Sequence, residues 1–186
     1  GAILSYTENE AATVIDNTIT ITDDDDIEID GGIVTISTGF TTGDILEFTT
    51  QNDIIGTYDS STGILTISGK ASIAEYETVL QSITYHSTSE DPTITSNSRT
   101  LTWIVTDANS DGAGIGISSS VTSTITIIAT NDKPVININN LSYTENSSEA
   151  IIDNTISVND PDDSYISGGA ITITSGFTSG DILTLG

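Results

Sequence analysis

An antiparallel Greek-key β-sandwich, all-β apart from one short helix and set in a tandem array, is the fold class this chain predicts. Three observations lead to it. Apolar and polar residues alternate with period two in nearly every ordered stretch, Asn-, Asp- and Gly-rich breaks separate those stretches, and a long block of sequence recurs. Leu4-Ser5-Tyr6-Thr7-Glu8-Asn9 returns unchanged as Leu141-Ser142-Tyr143-Thr144-Glu145-Asn146, an offset of 137 (141 less 4). The match runs without a gap from Leu4–Phe48 to Leu141–Leu185, with about 26 of 45 positions identical. Residues 1–132 therefore read as a complete repeat, 133–140 as a linker and the start of the next, and 141–186 as the N-terminal third of a second repeat. That third lacks counterparts of Leu65–Ile67, Leu101–Val105 and Val121–Ala129, so it is not expected to close a core of its own.

Taken in order, the first strand ends near Glu8. The next covers Thr13–Thr22, with Ile15, Ile19 and Ile21 facing one way and Thr18, Thr20 and Thr22 the other. Val34 and Ile36 continue the pattern, then Leu46 and Phe48, Leu65 and Ile67, then Leu101, Trp103 and Val105. Val121, Ile125, Ile127 and Ala129 mark the last strand. The breaks are Asp30-Gly31-Gly32, Thr42-Gly43-Asp44, Ser60-Ser61-Thr62-Gly63 and Asp111-Gly112. Ser72-Ile73-Ala74-Glu75 is a capping-box pattern, and Ile73, Tyr76 and Leu80 follow at helical spacing. It predicts a helix over about Ser72–Gln81, before a strand Ile83–His86.

The charge balance narrows the function. Lys70, Arg99 and Lys133 are the only basic residues, against 27 acids, for a formal charge of −24. Nucleic acid needs a basic face, so it is excluded as a partner, and membrane insertion and anionic membrane surfaces are disfavoured. No apolar run approaches the length of a membrane span. The chain has no cysteine, hence no thiolate metal site and no disulfide framework. An acidic surface suited to a salty medium is one reading of the charge. The clustering of the acids favours another, specific cation sites.

Strand direction sorts these acids. If the first strand runs down, Thr13–Thr22 runs up into Asp23-Asp24-Asp25-Asp26. Arg99–Thr106 runs up into Asp107-Ala108-Asn109-Ser110-Asp111-Gly112, and the last strand runs down into Asn131-Asp132-Lys133-Pro134. One end of the repeat then gathers Glu8, Glu90 or Asp91, Asn131 and Asp132, and the other gathers Asp23, Asp25, Asp107 and Asn109. In a head-to-tail array the first end meets the next repeat, where Asp160 and Asp162 correspond to Asp23 and Asp25, and Glu145 to Glu8. Bare carboxylates meeting there repel. Hard oxygen ligands without histidine or thiolate point to Ca²⁺. A solvated acidic turn is the plainer reading of Asp23–Asp26, but the second copy keeps Asp160, Asp162 and Asp163 while replacing Asp24 by Pro161. Asp107–Gly112 also matches the opening of a helix-loop-helix calcium loop, but the twelfth position is Ser118 and the flanks are strands.

At these residues the chain resembles a cadherin repeat. Glu8, Asp23-x-Asp25 with Asp160-x-Asp162, Asp107 and Asn131-Asp132-x-Pro134 stand in that family's order. The D-R-E tripeptide of the family is absent, and the Ser72 helix and the Glu90-Asp91-Pro92 turn stand in its place. Gly43-Asp44-Ile45-Leu46, Thr62-Gly63-x-Leu65-Thr66-Ile67-Ser68-Gly69 and Ser98-Arg99 resemble the cadherin-like, proteoglycan-type repeats of giant bacterial adhesins of the RTX class. The resemblance implies type I secretion, an extracellular place on the bacterial cell surface, calcium-dependent rigidity, and a role in attachment or biofilm.

The leading expectation is a structural extender whose partners are the neighbouring repeats, with any cell-surface glycan or protein bound by other domains. The alternative is a repeat that itself binds a glycan or protein, for which Tyr58, Tyr76 and Tyr165 are the aromatic candidates. Catalysis is not expected: His86 is the only histidine, and neither cysteine nor G-x-S-x-G is present. Paired carboxylates alone allow a glycosidase by residue type, but few aromatics are available to line a sugar cleft.

Overall fold

A computed structural model describes residues 1–51 and 53–185, in two compact units, Gly1–Asp132 and Lys133–Gly186. The first unit has nine strands and one helix among its described residues. They are β1 (Ile3–Thr7), β2 (Thr13–Val14), β3 (Glu28–Thr38), β4 (Asp44–Glu47), β5 (Ile55–Asp59), β6 (Ile64–Ser72), α1 (Ile73–Gln81), β7 (Thr84–Ser87), β8 (Ser98–Asp107) and β9 (Val121–Ile128). A six-stranded sheet in the order β1-β9-β8-β3-β6-β5 faces a three-stranded sheet, β2-β7-β4. The architecture is all-β and sandwich-like, as the alternation predicts. All the pairings are antiparallel except that of β1 with β9, which is parallel.

Register turns the alternating residues into one buried face. Val34 stands opposite Trp103 on one side and Leu65 on the other, and Ile36 stands opposite Leu101. Tyr6, Ile125 and Ile127 extend that face, and Ile15, Leu46, Ile83 and Tyr85 meet it from the smaller sheet. Across the gap Tyr6 and Tyr85 pack edge to face, 5.1 Å between ring centroids. The predicted helix forms with its capping box complete: Ser72 Oγ accepts from the Glu75 amide, and the Ser72 amide donates to Glu75 Oε2. Its buried residues are Tyr76, Val79 and Leu80.

Two expectations are corrected. Thr13–Thr22 is not one strand; only Thr13–Val14 pairs in the sheet, with Thr84 and Tyr85. Beyond it α1 takes the place of a neighbouring strand, with Glu77 Oε1 accepting from the Ile21 amide and Gln81 Nε2 donating to the Ile19 carbonyl, each at 2.8 Å. Asp30-Gly31-Gly32 is not a break but lies inside β3, where the register shifts in a bulge. A Cβ at Gly31 would lie 3.2 Å from the Ile67 carbonyl, and one at Gly32 3.2 Å from that of Ile104, so bare backbone lets β3 sit close between its neighbours. β5 is an added edge strand, joined to β6 through a turn in which Gly63 takes φ +71°.

The deepest polar group is Arg99. Its side chain and that of Asp44 are fully shielded from water, with Nε 2.6 Å from Oδ2 and Nη2 3.2 Å from Oδ1. The guanidinium also donates to the Ser96 and Pro92 carbonyls, each at 2.6 Å. Asp44 in turn accepts from Tyr85 Oη and from the Thr41 amide. One ion pair thus ties β8 to β4, β7 and the loop after β7. Burial first, then the hydrogen bond to Asp44, pushes the Tyr85 phenol upward.

The second unit contains β10 (Val135–Asn137) and β11 (Ser157–Asn159), paired antiparallel. Elsewhere its sequence repeats local geometry from the first unit. Tyr143 Oη donates to the Ser147 carbonyl as Tyr6 Oη does to that of Glu10, both at 2.9 Å. Asn146 takes φ 61° where Asn9 takes 65°. The Thr178 amide meets Asp181 at 2.8 Å as that of Thr41 meets Asp44. Its apolar residues are largely exposed, Ile171 at 67% and Phe177 at 64%. Among the described residues no helix is long and apolar enough to cross a membrane.

Two outcomes are expected. Arg99→Ala leaves Asp44 buried without its countercharge and should cost about 3–5 kcal/mol in urea unfolding. A loss of well under 1 kcal/mol would show that water enters and replaces the guanidinium. Glu75 is held below its ordinary 4.5 by the Ser72 hydroxyl, and then by the Ser72 amide. A depressed carboxyl stabilises above the unfolded pKa and stops doing so as pH falls through the folded value. The stability gap between the native chain and Glu75→Gln should therefore close on acidification; a gap unchanged to about pH 2 would assign the effect to hydrogen bonding alone.

Candidate metal centre

The inward rows of the sandwich do not stop at apolar residues. On β1 the row Leu4, Tyr6 continues into Glu8, and on β8 the row Leu101, Trp103, Val105 continues into Asp107. Period two thus carries two acids to the mouths of the core, where both are buried. Each is held by backbone donors. Glu8 Oε2 accepts from the Thr130 amide at 2.8 Å, just past β9, and the Glu8 amide donates to the Ile128 carbonyl at 2.9 Å. Asp107 Oδ1 accepts from the Asn109 amide at 2.9 Å, and Oδ2 from that of Gly116.

At the first end, Glu8 and Asp132 present carboxylate oxygens within 4.8 Å of each other. Parallel pairing explains the meeting, because β1 and β9 end side by side at Thr7 and Ile128. Asn131 lies between the strand end and Asp132, and its side chain donates to the Asp132 carbonyl. The Glu90-Asp91 turn is differently engaged. Asp91 Oδ1 accepts from both the amide and the hydroxyl of Thr93, at 3.2 Å, and Glu90 is exposed. Among the described residues neither belongs to a convergent group of three acids, so this turn is not brought into the cluster that strand polarity assigned to it. Asp91 is spent on closing its own loop.

At the other end, Asp23, Asp25 and Asp26 converge, with one oxygen from each within 4.8 Å. The run is a turn organised by its first member: Asp23 Oδ1 accepts from the amides of Asp25 at 3.2 Å and Asp26 at 2.9 Å. Those amide bonds, that of Asp26 foremost, hold the Asp23 carboxyl below its ordinary value. Asp25 is pushed the other way, by its hydrogen bond to the Asp23 carboxylate and then by Asp111. The opposite directions follow from one carboxylate accepting the turn amides and the other facing it.

Asp107 and Asn109 lie at this end but outside the convergent group. Asp107 is occupied by its own loop, and Asn109 Oδ1 accepts from the Gly114 amide at 2.7 Å. The connection runs instead through Asp26. Only 4% exposed, it accepts from the amide and hydroxyl of Ser110 and from the amide of Asp111, and so binds the acidic turn to the loop after β8. Asp26 was readable as one of a run of four acids, and its retention as Asp163 was the signal that it differed from Asp24. In the second unit Asp160 Oδ1 accepts from the amides of Asp162 at 3.2 Å and Asp163 at 3.1 Å, which is the Asp23 turn again. Glu145 lies on an exposed turn of that unit.

Asp26→Ala should cost about 1.5–3 kcal/mol, the range for hydrogen bonds to a charged group, and should speed hydrogen exchange at Ser110 and Asp111. Unaltered exchange at both amides would mean that the loop after β8 holds itself.

Comparison with known proteins gives a partial likeness. Over 86 residues, 43% of the chain, the sequence is 40% identical to Halomucin of Haloquadratum walsbyi. The chain spans about 1% of the length of that relative, which is therefore a very long protein. No family model matches, and no solved structure matches.

Proposed function

We propose that this chain is a piece of a repetitive cell-surface protein whose repeats are structural extenders stiffened by Ca²⁺. One observation carries the reading: an acidic turn of the same hydrogen-bonded form occurs at equivalent places in both copies, and in the complete copy three of its carboxylates converge within 4.8 Å. Asp23, Asp25 and Asp26 would hold the ion at one end, and Glu8 and Asp132 would contribute at the other. Bound there, the ion supplies positive charge that cancels carboxylate repulsion and fixes the turn. All-oxygen donors without histidine or thiolate favour Ca²⁺ over softer metals. The likeness to Halomucin supports a surface location, and a relative of such length suits a chain built by repetition.

On this reading the repeat is non-catalytic, its partners are neighbouring repeats, and cadherin-like stiffening serves attachment or biofilm, in the manner of RTX-type adhesins exported by type I secretion. A glycan-binding role for the repeat has less to rest on. Trp103 is 4% exposed and its indole donates to Ser123 Oγ, while Tyr58 and Tyr76 spend their hydroxyls on backbone carbonyls.

Adding Ca²⁺ to chelator-treated protein should raise the melting temperature, with a dissociation constant on the order of 10⁻⁴–10⁻³ M per site. At a hundredfold excess over that constant one site contributes about 2.7 kcal/mol. Asp25→Asn with Asp23→Asn should remove that site's share of the calcium response and leave the chelated melt within about 0.5 kcal/mol, because both groups are exposed and asparagine keeps an oxygen to accept the turn amides. An identical melt with and without Ca²⁺ overturns the reading.

A further inference from the structure

The complete repeat has an open edge. Along residues 18–22 burial alternates as in an extended strand, Ile19 and Ile21 facing the core and Thr20 and Thr22 facing out. Helix α1 satisfies the Ile19 carbonyl and the Ile21 amide. Main-chain groups of successive residues in an extended chain point to opposite edges, so those of Thr20 and Thr22 point away from the helix. There, among the described residues, they make no main-chain hydrogen bond. Beside them lies a groove of about 340 Å³, with Ile29, Leu80 and Trp103 buried at its floor and Val105 and Val121 on its far side.

The second copy shows what pairs with this edge. At the offset of 137, Thr20–Thr22 corresponds to Ser157–Asn159, which is β11. Its partner is β10, in the register Val135↔Asn159, Ile136↔Val158, Asn137↔Ser157. Carried back by the same offset, β10 falls immediately ahead of residue 1. The parallel pairing of β1 with β9 leads to the same place independently. Ile3 stands opposite Thr124, and the Thr124 amide donates to the Ala2 carbonyl. Gly1 thus lies beside Thr122, next to Val121 in the wall of the groove, and the chain ahead of it starts from there.

We propose that the groove beside Thr20–Thr22 is the docking site for the linker leading in from the preceding repeat, a segment of the Val135–Ile138 kind added as an antiparallel strand. Residues directly opposed in a ladder share a face. The counterpart of Ile136, opposite Ile21, enters the groove over Trp103, while the counterparts of Val135 and Asn137 stand outside beside Thr22 and Thr20. Each linker completes the sandwich that follows it. The proposal rests on the repeat and not on calcium, and its test is made in chelator.

The experiment extends the full chain, placing the eight residues found at 133–140 ahead of Leu4 in place of Gly1, Ala2 and Ile3. Amide exchange at Thr20 and Thr22 should slow by about tenfold or more, with a higher melting temperature. The same extension carrying Asp at the Ile136 counterpart should return both to the values of the unextended chain. Exchange unchanged by the extension overturns the proposal, as does equal protection by the Asp-bearing extension. A concentration-dependent dimer of the unextended chain that protects Thr20 and Thr22, and is lost in Ile136→Asp, would make a second copy the occupant and overturn the assignment to the linker.

Discussion

A guanidinium with no access to water must find protein acceptors, and Arg99 finds them on β4 and in the loop before β8. Asp44 on β4 takes two of its bonds, and the carbonyls of Pro92 and Ser96 take two more. Tyr85 on β7 and the Thr41 amide complete Asp44, while the Tyr58 hydroxyl donates to its carbonyl. Apolar contacts between the two sheets tolerate small slides, because dispersion and burial have no preferred direction. This network does not. A shift of one residue on β8 or β4 turns a buried charge to the outer face and leaves its partner unpaired, at a cost larger than any single apolar contact returns. The relative placement of the two sheets follows from it, and with that the placement of the strand ends that carry the acids.

Much of this was legible because period two reads which way a residue faces. The apolar rows on β1, β3, β6, β8 and β9 were visible in the sequence, as was the Ser72 capping box. The same rows also contained the buried polar groups. Arg99 continues the row of Leu101, Trp103 and Val105, and Asp44 continues that of Leu46. Charge led away from both, since an isolated ionisable residue is rarely buried without a partner, and the partner was 55 positions distant. Period two is silent on which strand pairs with which. For that reason residues 15–22 read as a sheet strand although α1 side chains are their neighbours, and the edge strand β5 went unread. Gly31 and Gly32 had the composition of a turn; their role in a crowded central strand depends on neighbours that only the tertiary fold supplies.

The acids divide by what their oxygens do. Asp16, Asp59 and Asp91 close local turns onto amides and hydroxyls two residues on. Asp107 and Asp26 hold the loop after β8. Asp23 does similar work through one oxygen, yet it also stands with Asp25 and Asp26 in a group whose oxygens converge within 4.8 Å. Turn chemistry therefore accounts for much of the acidic composition, and only a few carboxylates converge in a way that could hold a metal ion. From the sequence, strand polarity placed Glu8 with Asp132, and Asp107 at the end that carries Asp23. It overreached at Glu90 and Asp91, where a proline turn uses its aspartate internally.

The parallel pairing of β1 with β9 has a mechanical consequence. These strands lead out of the unit in opposite directions, one toward the chain before it and the other toward the chain after it. Tension applied between the ends of unit 1 slides the two strands along each other. Their five opposed pairs, from Ile3↔Thr124 to Thr7↔Ile128, are then loaded together in shear and not opened one at a time. Survival under load becomes a matter of the unfolding barrier more than of equilibrium stability. A short ladder at the edge of the larger sheet is thus the element through which this unit would carry force.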